Sequence, residues 1–223
     1  MKREIITTED GSTTIHLPGW NEQYHSKHGA IQEAYHVFIE MGFFYFLKNN
    51  QPKTLNILEI GFGTGLNAFI TLIEAEKTTT EINYTGVEAY PITEDEIRKM
   101  NYTHELKVSE EIFEKLHSCY WETPSEITKD FTLLKHKKFF SEIEDKEAFH
   151  LIYFDAFGAR VQPELWTEEI FQKMFNALKT GGVLVTYSAK GSVRRAMQAV
   201  GFSVERLPGP PGKREMLRGT KTS

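Results

Sequence analysis

The stretch LNILEIGFGTGLN, residues 55–67, decides the fold. Residues 55–60 are an apolar run dense enough for a strand that is buried on both faces of a sheet. Glycines follow at positions 61, 63 and 65, and apolar residues with helical spacing begin at Leu66. Glycine adopts positive φ at little cost and lacks a Cβ that would hold a ligand away from the backbone. This order predicts a strand, a turn and a helix whose N-terminus presents free N–H groups to a ligand.

Strands and helices alternate through most of the remaining chain. Apolar runs predict further strands at 81–88, 131–134, 149–155 and 183–187. Helical spacing predicts helices at 105–117, 163–178 and 191–200, and residues 121–129 are expected to form a loop. Two last strands, 202–206 and 214–218, are joined by a short turn and must be antiparallel. A mostly parallel sheet with helices on both faces and one antiparallel hairpin resembles the Rossmann-like fold of class I S-adenosylmethionine-dependent methyltransferases.

The first fifty residues are expected to pack on this core as a β-hairpin and a helix. Residues 3–17 alternate around Asp10-Gly11, which is a strong hairpin signal. Apolar positions within 30–47 have the spacing of an amphipathic helix that lies on the core. The predicted organisation is an N-terminal unit, 1–50, followed by a methyltransferase domain, 51–223.

Composition limits the classes of function. The chain has 223 residues with 40% hydrophobic content, which is enough for one sizeable core. The net charge of -5 does not indicate a nucleic-acid binder, but the segment from Lys190 onward contains eight Lys or Arg and two Glu. That segment is either an anion-binding face or a solvated surface. The single cysteine, Cys119, excludes an internal disulfide and a cysteine-rich zinc site. We expect no metal, and the absence of a signal peptide or membrane-spanning run predicts a soluble, cytoplasmic protein.

Two cofactors compete for the glycine loop. A nicotinamide fingerprint requires G-x-G-x-x-G or A. Gly63-x-Gly65-x-x-Ala68 fits those letters, but its first glycine lies three residues beyond Ile60, where the strand is predicted to end. The pattern of Glu59 followed by glycines at 61, 63 and 65 resembles instead the first motif of S-adenosylmethionine enzymes.

Acidic residues end two of the predicted strands. Glu88 can accept hydrogen bonds from both ribose hydroxyls, although dinucleotide-binding folds also place an acid there. Asp155 is more informative, because an acid at the tip of the fourth strand faces the transferable group in many amine-modifying methyltransferases. Asp155 lies too far from Pro163 to cap the helix that begins there, although it could cap a local turn.

Five segments give the chain a more specific resemblance. It resembles the MnmD family, the stand-alone form of the methyltransferase half of bifunctional MnmC. The matching segments cover most of the chain in order: WNEQYHSKHGAIQEAYHVF (20–38), EIGFGTGLNAF (59–69), GVEAYPIT (86–93), FDAFGARVQPELWTEEIF (154–171) and GFSVERLPGPPGKREML (201–217). One region departs from the pattern, since Lys137-Lys138 stands where bifunctional members carry Gly-Asp. The contact to the adenine amino group is therefore left open.

The resemblance implies methylation of the 5-aminomethyl nitrogen of uridine 34, with or without 2-thiolation, in the anticodon stem-loop of tRNA. S-adenosyl-L-methionine would be the methyl donor, Asp155 the residue that orients the amine, and Glu33 and His25 further catalytic candidates. The implied cofactor-binding residues are Glu59, Gly61, Phe62, Gly63, Gly65, Leu66, Asn67, Glu88 and Asp155. The implied RNA-binding residues are Lys190, Arg194, Arg195, Lys213 and Arg214. Phe157, Trp166 and Tyr90 could stack on the base, or could belong to the core.

Three other functions remain open on the sequence. The chain could be a methyltransferase for a small-molecule or protein amine, whose activity would not depend on the basic C-terminal segment. It could be a nicotinamide oxidoreductase, or an RNA-binding module without catalysis. Salt dependence separates the first from a tRNA enzyme, because binding to tRNA weakens steeply with ionic strength.

Overall fold

The computed structural model describes residues 2–222, and its N-terminus forms a small antiparallel sheet. Strands β1 (Glu4–Thr7), β2 (Thr13–Leu17) and β3 (Glu22–Gln23) pair in that order. The predicted hairpin is confirmed, with Gly11 at a φ of 88° in its turn. The Asp10 carboxylate stabilises this turn by accepting a hydrogen bond from the Ser12 N–H at 3.0 Å.

The predicted helix over 30–47 is confirmed, but it is longer and irregular. It consists of α1 (Ala30–Ala34), a π-helical segment (Tyr35–Phe44) and α2 (Tyr45–Asn50). A spacing of 3.6 residues does not reveal the wider turns of a π-helix. The backbone of this segment packs closely on the sheet, because a Cβ on Gly42 would lie 3.0 Å from a Val185 methyl group. The helix ends where Gln51 takes a left-handed φ of 47° ahead of Pro52.

A sheet of eight strands forms the centre of the molecule and has the predicted α/β architecture. Its strands are β4 (Thr54–Ile60), β5 (Glu81–Val87), β6 (Ser125–Thr128), β7 (Phe131–His136), β8 (Phe149–Phe154), β9 (Leu178–Thr186), β10 (Phe202–Pro208) and β11 (Glu215–Lys221). The order across the sheet is β10-β11-β9-β8-β4-β5-β7-β6. Strands β7, β5, β4, β8 and β9 are parallel, while β11 pairs antiparallel with both β9 and β10. The predicted antiparallel hairpin is therefore confirmed, and it inserts its second strand next to β9.

The helices that connect the strands correct three details of the prediction. They are α3 (Leu66–Ala75), α4 (Glu94–Ile97), α5 (Tyr102–Leu106), α6 (Glu110–Ser118), α7 (Glu168–Ala177) and α8 (Gly191–Ala199). The single helix over 105–117 is wrong, because Lys107 takes a left-handed φ of 55° and separates α5 from α6. The loop over 121–129 is wrong, since β6 pairs there with β7 at the sheet edge. The helix over 163–178 starts as a 3₁₀ turn, and Thr167 then caps α7.

Apolar side chains cover both faces of the central sheet. One core packs under the helix of residues 30–50 and α3, and the other packs under α7 and α8. This arrangement leaves the C-terminal ends of the parallel strands open, which is where ligands bind in such sheets. None of the helices within residues 2–222 is long and apolar enough to cross a membrane. The division into units 1–50 and 51–223 and the cytoplasmic location stay predictions.

Candidate active site

A large cavity lies at the C-terminal ends of β4, β5 and β8. Its volume is about 1430 Å³, and its walls come both from the sheet and from the segment between β2 and α1. Small-molecule sites usually measure roughly 300–1,000 Å³. The cavity therefore has room for a nucleoside-based cofactor and for part of a second substrate.

The glycine turn after β4 forms one wall of the cavity. Gly61, Gly63 and Gly65 have φ values of 87°, 49° and 73°. A Cβ on Gly61 would lie 2.6 Å from the Asp155 carbonyl oxygen, and one on Gly63 would lie 3.1 Å from the Tyr24 ring. The turn thus requires glycine both for its backbone angles and for the close approach of its neighbours.

Glu88 lies at the end of β5, where the sequence predicted it. Its two carboxylate oxygens accept hydrogen bonds from the N–H groups of Gly63 at 3.0 Å and Tyr90 at 2.9 Å. Arg3, which directly precedes β1, donates to the Tyr90 carbonyl oxygen at 2.8 Å and so holds the same loop. The carboxylate is fixed at the cavity edge and keeps further lone pairs for a ligand.

Asn67, in the first turn of α3, links the two acids of the site. Its Nδ2 group donates to Glu59 Oε1 and to Asp155 Oδ2, both at 2.9 Å. The Tyr84 hydroxyl donates to the other Glu59 oxygen at 2.9 Å. Within residues 2–222, the buried Asn67 Oδ1 has no hydrogen-bond partner. The amide therefore positions both carboxyl groups and still presents an acceptor.

The two acids have raised pKa values because the protein encloses them. Burial raises the pKa of Glu59 well above its usual range, against the hydrogen bonds from Asn67 and Tyr84. Burial and the neighbouring Glu33 charge raise the pKa of Asp155 to about 7, although Asn67 and Lys213 oppose the shift. A carboxyl group with that pKa exchanges a proton readily near neutral pH.

Glu33 and Lys213 meet in the cavity from opposite ends of the chain. Lys213 Nζ lies 2.5 Å from Glu33 Oε1 and 3.9 Å from the centre of the Tyr187 ring. The other Glu33 oxygen accepts a hydrogen bond from the Ser26 N–H at 2.7 Å. The Tyr187 hydroxyl donates to the Ala156 carbonyl oxygen at 2.7 Å. The structure thus brings Glu33 and Lys213 to the same wall as Asp155, whereas the sequence grouped Lys213 with RNA-binding residues.

His25 lines the cavity but is enclosed in a chain of hydrogen bonds. Its Nδ1 lies 2.9 Å from the Thr14 hydroxyl, and its Nε2 lies 3.5 Å from the Thr64 hydroxyl of the glycine turn. The Tyr102 hydroxyl donates to the same Thr64 oxygen at 3.1 Å. Burial lowers the pKa of His25 to about 4, so the ring is neutral at pH 7. This geometry ties the N-terminal sheet to the glycine turn.

The remaining cations of the predicted RNA-binding set lie outside the cavity or at its rim. Lys190 lines the rim, and Arg195 and Arg214 are exposed. Arg194 is half-buried in α8. These cations lie on α8 and on the loop before β11, and an anion-binding face formed by them stays a prediction.

The three predicted stacking aromatics occupy different environments. Trp166 is 5% exposed and donates to the Phe157 carbonyl oxygen at 2.7 Å, so it belongs to the core. The Phe157 ring packs edge-on against Trp20 and Tyr24, with centroids 5.6 and 5.0 Å away. Tyr90 is 62% exposed on the cavity rim. Of the three, Tyr90 has the most ring surface available to a base.

The region that departs from the family pattern contains no acid at the cavity. Lys137 is exposed and Lys138 half-exposed, and the next residue, Phe139, lines the cavity. Phe139 is 54% exposed and packs edge-on against Tyr90, with ring centroids 6.0 Å apart. An aromatic pair therefore stands where the sequence left the adenine contact open.

The comparison with known families agrees with this geometry. A family model described as S-adenosyl-L-methionine-dependent methyltransferase matches residues 98–222, which is more than half of the chain and includes both Asp155 and Lys213. The chain belongs to this family. The methyltransferase accordingly takes its methyl group from S-adenosyl-L-methionine, and the nicotinamide alternative is wrong. Within residues 2–222, no group of three or more His, Cys, Asp or Glu side chains could hold a metal ion.

Two relatives are named "tRNA 5-methylaminomethyl-2-thiouridine biosynthesis bifunctional protein MnmC". The relative from Leptospira borgpetersenii serovar Hardjo-bovis (strain JB197) is 30% identical over 214 residues, which covers 90% of this chain and 32% of that protein. The relative from Cupriavidus metallidurans is 27% identical over 236 residues, which covers 96% of this chain and 33% of that protein. The methyltransferase therefore spans about a third of the length of these relatives.

Two solved structures share the fold. MnmC2 from Aquifex aeolicus superposes with a TM-score of 0.80 at 24% identity, covering 100% of this chain and 71% of that one. A spermidine synthase from Thermotoga maritima superposes with a TM-score of 0.58 at 16% identity, covering 99% and 69%. Both matches support the class I fold that the order of strands and helices predicted.

Proposed function

We propose that the protein methylates the 5-aminomethyl nitrogen of uridine 34, with or without 2-thiolation, in tRNA, and so forms the 5-methylaminomethyl group. The similarity to the two MnmC proteins, which are named for 5-methylaminomethyl-2-thiouridine biosynthesis in tRNA, supports this substrate. The single observation that carries the proposal is the Asp155 carboxyl on the wall of the cavity, where burial and the Glu33 charge raise its pKa to about 7.

Several features of residues 2–222 indicate that the cavity fits S-adenosylmethionine. The buried Asn67 Oδ1, without a partner in residues 2–222, suits the ammonium group of the cofactor. The Glu88 carboxylate suits two ribose hydroxyls, and the glycine turn lets a ligand approach the backbone. Phe62 and Leu66 belong to the same wall, and the Tyr90 and Phe139 rings suit the adenine. When bound, the cofactor supplies a methyl group on a positively charged sulfur, which is already activated for transfer.

Asp155 then has to accept a proton from the substrate ammonium, so that the nitrogen becomes nucleophilic. An alkyl ammonium resembles lysine, whose pKa is about 10.4, and it has no free lone pair until it loses a proton. A carboxylate with a pKa of about 7 is a far better base than an ordinary aspartate. We therefore assign proton acceptance to Asp155 in addition to orientation of the amine. Asn67 holds one carboxylate oxygen, which fixes the direction of the other.

His25 and Glu33 receive supporting roles in this proposal. His25 is neutral and connects Thr14 to Thr64, so it positions the glycine turn rather than taking the proton. Glu33 adds to the negative potential that keeps the pKa of Asp155 high. Its contact with Lys213 brings the loop before β11 to the cavity.

The cations near the rim suit the phosphates of the anticodon stem-loop. Lys190 lies at the rim itself, and Arg194, Arg195 and Arg214 lie on the adjoining α8 and loop. Such contacts make affinity fall with salt, which an enzyme for a small amine would not show.

Nucleoside analysis tests the proposal directly. Hypomodified tRNA that carries 5-aminomethyluridine at position 34 is incubated with the protein and S-adenosylmethionine, then digested and analysed by mass spectrometry. We expect a gain of one methyl group on that nucleoside, and no gain with Asp155→Asn. Free polyamines and small primary amines serve as competing acceptors. Methylation of these amines with no methylation of tRNA would support the alternative amine substrate and refute the proposal.

A further inference from the structure

We infer that Lys213 selects uridine over cytidine, because its ammonium donates a hydrogen bond to the C4 carbonyl oxygen of the base. The inference rests on the proposed function and concerns the same cavity. The sequence alone suggested a phosphate contact for this lysine, and its contacts in the structure lead to a different role.

The turn between β10 and β11 fixes the backbone position of Lys213. The Lys213 N–H donates to the Pro210 carbonyl oxygen at 2.9 Å, and the Gly209 N–H donates to the Arg214 carbonyl oxygen at 3.1 Å. Gly212 has a φ of 81°, and a Cβ there would overlap the His28 ring at 2.0 Å. The turn is therefore seated against the N-terminal segment, which directs the lysine inward instead of leaving it on a mobile surface.

Glu33 holds the Lys213 ammonium but does not use all of its hydrogen-bond donors. Within residues 2–222, Glu33 is the one hydrogen-bond acceptor of Lys213 Nζ, at 2.5 Å. The Tyr187 ring lies 3.9 Å away on another side. An ammonium has three donors, and the Lys213 side chain is 33% exposed where it lines the cavity. A donor therefore remains for a ligand.

The position of Asp155 indicates which atom of the base this donor contacts. Asp155 and Lys213 both line the cavity, and Tyr187 connects them. Its ring lies 3.9 Å from Lys213 Nζ, and its hydroxyl donates to the carbonyl oxygen of Ala156, the residue after Asp155. In a 5-aminomethylpyrimidine, the methylene group and the C4 substituent are attached to adjacent ring atoms. A base whose amine meets Asp155 therefore presents its C4 substituent close by. Uracil offers an acceptor oxygen there, whereas cytosine offers an amino group that is a donor.

The charge and burial of the Glu33–Lys213 pair determine the size of the preference for uridine over cytidine. A cytosine amino group would face the Lys213 ammonium donor to donor, and the buried Glu33 already occupies the lysine's other side. Hydrogen bonds to charged groups change binding by about 10- to 100-fold. We expect a uridine preference of that order to depend on Lys213.

A purely structural role for the ion pair predicts a different result. If Lys213 only anchors the turn to Glu33, its loss impairs all substrates by the same factor. If it binds the C4 oxygen, its loss changes the ratio between two bases. The ratio is therefore the quantity to measure.

The experiment uses two anticodon stem-loop RNAs, which carry 5-aminomethyluridine or 5-aminomethylcytidine at position 34. Values of kcat/KM with S-adenosylmethionine are measured for the full-length wild type, Lys213→Met and Lys213→Gln. Glu33→Gln/Lys213→Met removes the partner charge as well, so that no unpaired buried carboxylate destabilises the protein. Lys48→Met is the matched control, because Lys48 is exposed in the last turn of α2, which precedes the N-terminal end of β4, and it does not line the cavity.

We expect the wild type and Lys48→Met to prefer the uridine RNA by at least about 10-fold. Lys213→Met and the double variant should lose most of that preference by slowing on uridine. Lys213→Gln supplies an acceptor oxygen and should gain activity on cytidine, which loss of folded protein cannot produce. Equal wild-type activity on both RNAs, or an unchanged ratio in all Lys213 variants, would overturn the inference. A wild type that is inactive on the uridine RNA would refute the proposed function instead.

Discussion

Replacing Asp155 by Asn should stabilise the protein and stop methyl transfer. The pKa of this carboxyl rises from 3.8 to about 7 on folding, because the site encloses it beside Glu33. One pKa unit corresponds to about 1.36 kcal/mol, so the ionised side chain costs at most about 4 kcal/mol of unfolding free energy. Because Asp155 is half-buried and opens onto the cavity, we expect about 2 kcal/mol. In a chain of this length that is a rise in Tm of about 4–8 °C.

The difference in stability between Asp155→Asn and the wild type changes with pH in a definite direction. A carboxyl with a raised pKa binds its proton more tightly in the folded state than in the unfolded state. Its contribution is therefore fully favourable below about pH 4 and is lost as the pH rises to about 7, above which it stays constant. The asparagine side chain of the variant does not titrate. The excess stability of Asp155→Asn should grow between pH 4 and 7 and then level off.

Thermal melts of both proteins between pH 4.5 and 8.5 measure the difference, and other titrating groups cancel in the comparison. Asp130→Asn is the control, because Asp130 is an exposed aspartate beside Lys129; its stability should change by no more than about 0.5 kcal/mol. Methyl transfer by Asp155→Asn should fall by about 10²–10⁴-fold. A variant that is no more stable than the wild type at pH 8, or that keeps its activity, would refute the assignment of Asp155 as an enclosed base.

Three further outcomes are expected. Because the Asp155 carboxylate is the active form, kcat/KM on tRNA should rise with pH through about 7 and then level off; a flat profile from pH 5 to 8 would contradict this. Asn67→Leu removes the donor to both acids and should lower the unfolding free energy by about 1–3 kcal/mol, and it should weaken S-adenosylmethionine binding in calorimetry. Arg195→Ser should reduce the slope of log K for tRNA against log salt by about 1, and an unchanged slope would exclude a phosphate contact.

The first half of the candidate site could be predicted because local rules govern it. The glycine turn follows directly from residues 55–67, and the acids at the ends of β5 and β8 lie where parallel strands place them. Glu59 and Asn67 belong to the same short stretch. Their positions relative to the ligand depend on one strand, one turn and one helix.

Other residues of the site carried no local signal. Tyr84 and Tyr187 read as ordinary strand aromatics, yet one donates to Glu59 and the other lies beneath the Lys213 ammonium. A phenol inside an apolar strand is usually part of the core. The sharing of Thr64 by His25 and Tyr102 likewise became visible only with the fold.

The prediction of secondary structure was wrong where contacts with distant segments outweighed the local sequence pattern. The π-helical segment keeps a helix-like spacing of apolar residues, and the local pattern contains no sign of its close approach to the sheet at Gly42. Strand β6 contains few apolar residues and exists because β7 offers an unpaired edge. The break at Lys107 requires a left-handed residue that the apolar spacing does not predict.

The sequence by itself determined the α/β fold, the glycine turn and the two acids at the strand ends, because each depends on residues that are close along the chain. Only the tertiary structure joined Glu33 to Lys213, 180 positions apart. It also enclosed Asp155 beside them, and this enclosure raises its pKa to about 7. Burial and charge proximity depend on how distant segments pack, and no local pattern records that packing.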